Sequence, residues 1–335
     1  MNKLFDFDSI VLIADWIEYD SENLEVYDRD MDKPHKEYVV KLINTLRSIH
    51  PNVIHYDSPK AFIDNISNHA DDLVIPFWSG QNSRNRYSIV PAICEAANIR
   101  YIGGDVYTKT VCNDKTLSKI LCEQSGLNAA RGFTINSEQD IKGLDNLTFP
   151  CVVKPMFEGT SLGISERNLV KSKEEAIPVI RDLLDEFKQP IVAEEFIAGK
   201  EVSICLIGRQ DKVIAWDAVE RYVVGNDDYF MTRLYAFHEK KTYTIPLELR
   251  SVTSEITHEV FEACHKLFTY LDKVEFMRID GRLKGSKFTV IELTPETHLG
   301  ADAEFCGAFI ASGQYSYAQL MQVLMENCLE RYRNL

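Results

Sequence analysis

Two lysines occur where the chain could direct a positive charge toward an anionic ligand. Lys115 follows Asn113 and Asp114 at the start of a helical pattern, and Lys154 lies near the end of the apolar stretch 149–155 (FPCVVKP). A lysine that ends a strand projects its ammonium group from a rigid support, beyond the edge of the sheet. Taken alone, either lysine is more typical of a surface position, because lysine is seldom buried.

A loop of small residues follows Lys154. Residues 158–163 read Glu-Gly-Thr-Ser-Leu-Gly, so backbone N–H groups can approach an anion closely and two hydroxyl groups add donors. The chain has no GxxxxGK[ST] loop, and Gly103-Gly104 does not complete a GxGxxG fingerprint. The loop is therefore a candidate phosphate cradle without a Walker sequence, although such a loop alone is more often a plain turn.

Acidic residues end the next apolar stretch. Glu194 and Glu195 follow Ile-Val-Ala, and Glu201 comes shortly after Gly199. A carboxylate there can accept a hydrogen bond from an exocyclic amine, and neighbouring backbone groups can complete a purine edge. Glu201 is placed to accept from ribose hydroxyls. The alternative is an ordinary strand end with solvated acids.

A third group of polar residues lies on two strands of a predicted hairpin. Arg278 and Asp280 share one face of the first strand, because side chains alternate along a strand, and Glu292 lies on its partner. Two such carboxylates can share Mg²⁺, which prefers oxygen ligands and often bridges protein carboxylates to phosphates. Arg278 can neutralise charge that develops on a reacting group. A structural salt bridge among the three residues remains equally open.

The composition disfavours several classes of protein. The chain has 335 residues, which suffices for two or three domains, and its 37 basic and 51 acidic residues give a net charge of −14. A nucleic-acid binder needs a basic footprint, and no basic block occurs. The eight cysteines form no CxxC pair, and the N-terminus has neither a signal-peptide pattern nor a membrane-span pattern. We expect a cytoplasmic protein with reduced thiols and no membrane partner.

Hydrophobic periodicity predicts three α/β regions, at 1–107, 108–198 and 199–335. Strands that alternate with helix-length segments imply an open parallel sheet in the first region. In the second region, the pattern predicts one helix over 109–127 with Gly126 as its C-cap. In the third region, the patterns predict antiparallel strands over 200–208 and 212–220, a helix over 252–271, a hairpin that turns at 284–286 and a final helix over 315–332.

Together and in this order, these segments resemble an ATP-grasp ligase, and most of all the D-alanine–D-alanine ligase group. The resemblance covers about residues 76–295. NDKTLSKILCEQSGL is similar to the family's Asp-Lys helix, FPCVVKPMFEGTSLGIS to its strand and phosphate loop, IVAEEFIAGKEVSICLIG to its adenine hinge, and RIDGRLK with FTVIEL to its metal strands.

The resemblance implies an ATP-grasp fold, in which an open parallel N-terminal domain precedes two α+β subdomains that clamp ATP, and it implies Mg²⁺ as a cofactor. In this reading the phosphates are contacted by Lys115 and Lys154 and are covered by the loop of Glu158, Gly159, Thr160 and Ser161. Glu194 accepts a hydrogen bond from the adenine amine beside the backbone of Glu195, Phe196 and Ile197, and Glu201 holds the ribose. Mg²⁺ is bound by Asp280, Glu292 and Thr294, and Arg278 stabilises the intermediate. Relatives are often dimers, so a homodimer stays open.

The departures from the family pattern fall mostly on the amino-acid side. Thr294 replaces the usual Asn metal ligand, and either Thr294 or Glu296 is expected to substitute for it. The stretches 14–18, 78–86 and 295–300 lack the family's glycine-containing elements. These changes indicate retained activation of ATP with altered substrates.

Two further sets of basic residues are candidates for substrate binding. Arg84 and Arg86 are hypothesised to meet an anionic group, although an exposed loop is the default for arginine. Arg233, Lys240 and Lys241 lie where the family's flexible substrate loop would fall, and the sequence does not choose among them.

We expect a ligase that joins an amino acid or similar small carboxylate to an amine through an acylphosphate. Two alternatives are a nucleotide-binding protein that no longer catalyses and a phosphoryl transfer that stops at a stable product. The sequence leaves the identity and stereochemistry of both substrates open.

Overall fold

A computed structural model describes residues 5–18, 25, 27–80, 83–209, 212–242, 245–295 and 297–333. Within these ranges, three β-sheets carry the helices and position the cavity that is described below. No helix among the described residues has the length and apolar character needed to cross a membrane.

The first sheet is parallel, as the alternation of strands and helices predicts. Its strand order is β2-β1-β3-β4, and its elements are β1 (Ile10–Ile13), α1 (Lys36–Ile49), β2 (Val53–Tyr56), α2 (Pro59–Ile63), β3 (Leu73–Pro76), α3 (Ile89–Ala97) and β4 (Arg100–Tyr101). Every residue of β1 and β3 is buried, which explains why both strands read as continuous apolar runs rather than as alternating ones.

Two helices replace the single helix that was predicted over 109–127, so that prediction was wrong. They are α4 (Val106–Asn113) and α5 (Lys115–Ser125). Asp114 separates them because it has an extended backbone, and its side chain accepts hydrogen bonds from the backbone N–H groups of Thr116 and Leu117. The predicted cap at Gly126 is confirmed, since its φ of 98° lies in the left-handed region. The break places Lys115 at the first position of α5.

The second sheet is antiparallel and is covered by one helix. After β5 (Asn128–Ala129), which joins the third sheet, come β6 (Gly132–Ile135), β7 (Cys151–Pro155), β8 (Leu169–Val170), α6 (Lys173–Phe187) and β9 (Ile191–Glu195), in the strand order β6-β9-β7-β8. The division of the chain into domains at 107 and 198 stays a prediction.

The third sheet has six strands, in the order β12-β11-β10-β13-β14-β5. Its elements are β10 (Lys200–Arg209), β11 (Lys212–Val223), α7 (Phe237–Thr242), β12 (Leu247–Ser251), α8 (His258–Leu271), β13 (Phe276–Lys284), β14 (Lys287–Thr294), α9 (Glu304–Ala311) and α10 (Tyr317–Arg333). The predicted antiparallel pair and the hairpin are confirmed. The helix expected from residue 252 begins later, because Thr257 caps it by accepting from the N–H of Val260.

One hydrophobic core joins the beginning and the end of the described chain. Leu12 of β1 and Leu42 of α1 lie in the same buried cluster as Phe309 of α9 and Leu324 of α10. A buried ion pair at 2.8 Å between Arg331 and Glu275 reinforces this packing. The parallel sheet therefore depends on two helices that follow it by more than 200 residues in the sequence.

We predict that Leu324→Ala lowers the free energy of unfolding by about 2–5 kcal/mol, because it removes a fully buried side chain and leaves a cavity. Leu117→Ala is the matched control, since Leu117 is 47% exposed on α5 and its loss should change stability by about 0.5 kcal/mol or less. Denaturant unfolding of both variants measures the difference, and equal losses would contradict the shared core.

Candidate active site

A cavity of about 1180 Å³ lies among the second sheet, the third sheet and the segment 32–45. Its volume exceeds the range of roughly 300–1,000 Å³ that small ligands usually occupy, so it can hold more than one small molecule. The structure brings together in this cavity every described residue that the sequence analysis assigned to nucleotide binding, metal binding or stabilisation of the intermediate. These are Lys115, Lys154, Glu158, Gly159, Thr160, Ser161, Glu194, Glu195, Phe196, Ile197, Glu201, Arg278, Asp280, Glu292 and Thr294.

Three ammonium groups meet at one end of the cavity. Lys154 Nζ lies 2.5 Å from Glu194 Oε1, and Lys119 pairs with the other oxygen of Glu194. Lys115 Nζ donates to the carbonyl oxygen of Glu158 at 2.5 Å. Burial and the neighbouring lysines lower the pKa of Lys154 well below its usual value, and burial together with Lys115 lowers the pKa of Lys119 to about 7. An anionic ligand would relieve this crowding of positive charge.

Sequence reasoning missed Lys119, although a signal for it existed. Lys115 and Lys119 are four residues apart on α5, so they share one face of the helix. The two carboxylate oxygens of Glu194 form ion pairs with Lys119 and Lys154. Its expected bond to an adenine amine stays a prediction, for which a second lone pair remains on each oxygen.

The loop 158–163 is held in an unusual backbone conformation. Thr160 and Ser161 have φ values of 50° and 58°, in the left-handed region that non-glycine residues rarely adopt. Thr160 Oγ1 donates to Asp32 Oδ1 at 2.7 Å, and Ser161 Oγ donates to the carbonyl oxygen of Tyr235 at 3.0 Å. Contacts from distant parts of the chain therefore fix the two hydroxyl-bearing residues.

A buried network around Asp32 ties this loop to the first sheet. Arg86 Nη2 lies 3.0 Å from Asp32 Oδ2, Arg86 Nη1 lies 3.1 Å from Glu158 Oε2, and the hydroxyl of Tyr87 donates to Asp32 at 2.5 Å. Burial by itself would raise the pKa of Asp32, but Arg86 and the hydrogen bonds from Tyr87 and Thr160 keep it below its usual value. The network spans the loop and the N-terminal segment.

The contacts of Arg86 correct the expectation for the two loop arginines. Arg86 is only 4% exposed and pairs with carboxylates of the protein itself, so an exposed loop position is wrong for it. Arg84 is exposed and lies 5.9 Å from the ring centre of Phe157. Neither arginine lines the cavity. Lys240 and Lys241 do line it, whereas Arg233 does not.

A pair of carboxylates lies next to the lysines in the cavity. Asp280 of β13 lies directly opposite Glu292 of β14, and Arg278 lies opposite Thr294, so all four side chains share one face of the sheet. Lys115 Nζ lies 3.1 Å from Glu292 Oε1. Burial would raise the pKa of Glu292, but Lys115, Lys154 and Lys240 outweigh it and lower that pKa to about 2. Glu292 is therefore ionised at neutral pH.

The donor set fits Mg²⁺. The described residues contain no group of three or more His, Cys, Asp or Glu side chains that could hold a metal ion. Mg²⁺ commonly uses only one or two protein carboxylates together with water and phosphate oxygens, which matches Asp280 and Glu292. Thr294 Oγ1 donates to Asp280 Oδ2 at 3.1 Å, so it lies on the same face. Glu296, the other expected substitute for Asn, lies outside the described residues.

Aromatic residues line the far end of the cavity, where the sequence departs from the family pattern. The rings of His298 and Tyr38 lie in a tilted contact with their centres 3.6 Å apart, and His298 and Phe77 make an edge contact. Burial lowers the pKa of His298 to about 4, so its imidazole is neutral at pH 7. The backbone N–H of Leu299 donates to the hydroxyl of Tyr38 at 3.0 Å. This end of the cavity thus combines an aromatic wall with charged groups, since Glu304, Asp302, Arg278 and Lys241 all act on His298.

A family profile and individual relatives both place the chain among the same group of proteins. A family profile described as D-ala D-ala ligase C-terminus matches residues 121–326. An uncharacterized protein of Sinorhizobium fredii is 26% identical over 268 residues, which cover 78% of this chain and 75% of the relative. A D-alanine–D-alanine ligase of Ruminiclostridium cellulolyticum is 25% identical over 280 residues, which cover 78% of this chain and 70% of the relative.

A solved structure supports the fold over nearly the whole chain. D-alanine–D-alanine ligase from Bacillus anthracis, complexed with ATP, superposes with a TM-score of 0.71 at 17% sequence identity, over 97% of this chain and 99% of that chain. At 17% identity this comparison supports the fold alone. That fold is the ATP-grasp fold, as the resemblance in the sequence implies.

We predict that Asp32→Asn lowers the free energy of unfolding by about 3 kcal/mol, because it breaks a buried ion pair and leaves Arg86 partly unpaired. Thr160→Val should cost about 1 kcal/mol, since it removes one hydrogen bond from the same network. Asp185→Asn is the matched control on an exposed carboxylate. A loss for Asp32→Asn no larger than that of the control would contradict the network.

We also predict a pH dependence that originates at Asp15. Burial raises the pKa of Asp15 to about 6, against the opposing hydrogen bond from the Ser79 N–H. The folded state then binds a proton that the unfolded state has released, so stability falls as the pH rises from about 4 to 6. Relative to Asp15→Asn, the wild type should lose about 2 kcal/mol across this window. A difference in unfolding free energy that stays constant with pH would exclude this assignment.

Proposed function

The chain belongs to the D-alanine–D-alanine ligase family, whose members are ATP-grasp enzymes that form C–N bonds, and from this membership we propose its reaction. We infer that it joins an amino acid or a related small carboxylate to an amine, with an acylphosphate as intermediate. One observation carries the proposal: the ammonium group of Lys115 and the carboxylate of Glu292 meet at 3.1 Å in a single cavity.

The nucleotide occupies the end of the cavity where the lysines converge. Lys115 and Lys154 contact the phosphates, which replace protein carboxylates as the partners of these buried ammonium groups. The backbone at 194–197 binds the adenine, and Glu201, which Arg282 Nε holds at 2.6 Å, accepts from the ribose. The loop that contains Thr160 and Ser161 covers the phosphates.

Asp280, Glu292 and Thr294 would hold Mg²⁺, which would neutralise phosphate charge when bound. Arg278 lies beside this group, with its Nε 2.7 Å from Asp280 Oδ1. Its guanidinium group stabilises the negative charge that develops on the reacting carbonyl oxygen. Both roles depend on the side chain of Asp280.

Two displacement steps complete the reaction. In the first step, a carboxylate oxygen of the first substrate forms a bond to the γ-phosphorus, and the bond from this phosphorus to the ADP oxygen breaks. In the second step, the amine nitrogen bonds to the acyl carbon, phosphate leaves with its bridging oxygen, and the nitrogen loses a proton. The protein contributes mainly by positioning the reactants and by supplying positive charge.

One observation favours a second candidate, a protein of the same fold that binds nucleotide without turning it over. The carboxylate of Asp280 is already contacted by Ser203 Oγ at 2.6 Å, Arg278 Nε at 2.7 Å and Thr294 Oγ1 at 3.1 Å. Thr294 supplies a neutral hydroxyl there, which is a weaker ligand than the amide oxygen of the usual Asn. Metal binding is then weaker than in the ligases.

The two candidates are separated by incubating the protein with ATP, Mg²⁺ and a panel of D- and L-amino-acid pairs. Phosphate release that depends on both substrates, together with an amide product in the mass spectrum, supports the ligase. Tight binding of ATP without release under any pair supports the binding protein. A phosphorylated product without an amide identifies transfer that stops at the first step.

We predict that Asp280→Asn lowers kcat by at least about 100-fold, because it removes the charge that holds the metal and orients Arg278. Asp185→Asn, which changes an exposed carboxylate at the end of α6, is the control and should leave kcat unchanged. Substrate-dependent phosphate release measures both variants. Unchanged turnover in Asp280→Asn would refute the metal site.

A further inference from the structure

Arg221 is an arginine in the cavity to which neither the sequence analysis nor the proposed reaction gives a role. It lies on β11, opposite Glu201 of β10 in the antiparallel register, so the two side chains share one face of the sheet. Its side chain is 14% exposed and lines the cavity. The guanidinium group is thus largely buried but still reaches the space where substrates bind.

Glu304 holds Arg221 in a fixed orientation. Arg221 Nε donates to Glu304 Oε1 at 2.7 Å, and Arg278 Nη1 donates to Glu304 Oε2 at 3.0 Å. Burial would raise the pKa of Glu304, but the two arginines keep it well below its usual range, so the carboxylate is ionised. One carboxylate therefore fixes two guanidinium groups beside each other.

The outer edge of Arg221 retains unused hydrogen-bond donors. Among the described residues, no protein oxygen accepts a hydrogen bond from its Nη1 or Nη2, and the ring of Tyr235 lies 5.8 Å from its Cζ. A guanidinium group has five N–H donors, and its planar edge matches the two oxygens of a carboxylate. A purely structural contact with Glu304 needs only Nε. The remaining donors suit a ligand.

Three other cations that line the cavity already pair with protein carboxylates. Arg278 is paired with both Asp280 and Glu304, whereas Lys115 and Lys154 lie at the nucleotide end. Arg221 is set beside Arg278, close to where the acyl group reacts. A substrate carboxylate that lies beside Arg278 can therefore accept hydrogen bonds from the unused donors of Arg221.

We propose that Arg221 binds a substrate carboxylate other than the one that is activated. The inference rests on the proposed function and narrows its substrates to those that carry a second carboxylate. That carboxylate belongs either to the amine substrate, as in an amino acid, or to the side chain of the activated substrate. Both sources offer the same planar pair of oxygens, and the experiment distinguishes them.

The test measures binding, so it does not depend on turnover. Wild type and Arg221→Gln are titrated calorimetrically, in Mg²⁺ and a non-hydrolysable ATP analogue, with amino acids, their primary amides, and dicarboxylic amino acids. The acid that binds the wild type most tightly should lose at least about tenfold in affinity in the variant, whereas its amide should bind both proteins equally weakly. Loss with every amino acid identifies the amine substrate as the source, and loss with dicarboxylic acids alone identifies the side chain.

Arg250→Gln is the matched control. Arg250 lies on the neighbouring strand β12, donates to the carboxylate of Glu220 at 2.8 Å and does not line the cavity. It should leave the affinities for acids and for the nucleotide analogue unchanged. Arg221→Lys keeps the charge but not the planar edge, and it should lose part of the affinity. Thermal unfolding verifies that each variant is folded, and Arg221→Lys serves as the test if Arg221→Gln is not.

Three results would overturn the proposal. In the first, the acids bind the wild type and the Arg221 variants with equal affinity. In the second, the wild type binds acids no more tightly than amides. In the third, the Arg221 variants lose tenfold in affinity for the nucleotide analogue and not for the acids, which assigns Arg221 to a phosphate. Failure of the proposed function is recognised separately. In that case phosphate release is absent with every substrate pair, whatever the titrations give.

Discussion

The site depends on the balance between buried ammonium groups and the carboxylates that pair with them. Lys115 lies close enough to disfavour the charge of Lys119 and of Lys154, and in this structure Glu194 and Glu292 pair with the three lysines. Such a cluster is costly without counter-charge, because buried ions are stabilised only by close partners. A polyphosphate carries the charge that the cluster needs. The same lysines lower the pKa of Glu292 and so keep its carboxylate ionised.

Much of the site could be predicted because its residues are marked by local sequence. Lys154 ends an apolar strand, and Asp280 with Glu292 lies on a hairpin whose register follows from a short turn. Lys119 was within reach, since it stands one helical turn after Lys115. The break at Asp114 was missed because the apolar spacing continues across it, while the capping hydrogen bonds that separate the helices leave only a weak trace in the sequence.

The remaining partners could not be predicted, because they meet only in the folded chain. Thr160 and Asp32 are 128 positions apart, and Arg221 and Glu304 are 83 positions apart. No short pattern marks Asp32 as the anchor of a loop, and the helix that begins at Glu304 lacks a clear apolar stripe. Loops from different regions also build the end of the cavity near His298, which is where the family pattern is lost. The residue types at the lysine end of the cavity are therefore readable in this sequence, whereas the choice of substrate is not.

The packing of α10 against the parallel sheet has a consequence for biosynthesis. The backbone N–H of Tyr101 donates to the hydroxyl of Tyr332, 231 positions later, and Arg331 donates to the carbonyl oxygen of the same Tyr101. A ribosome makes the first sheet well before the helix that completes its core, so the nascent sheet keeps apolar surface uncovered while the rest is translated. During that interval the emerging polypeptide is open to chaperones and to aggregation, and its native state is reached only after α10 has left the exit tunnel.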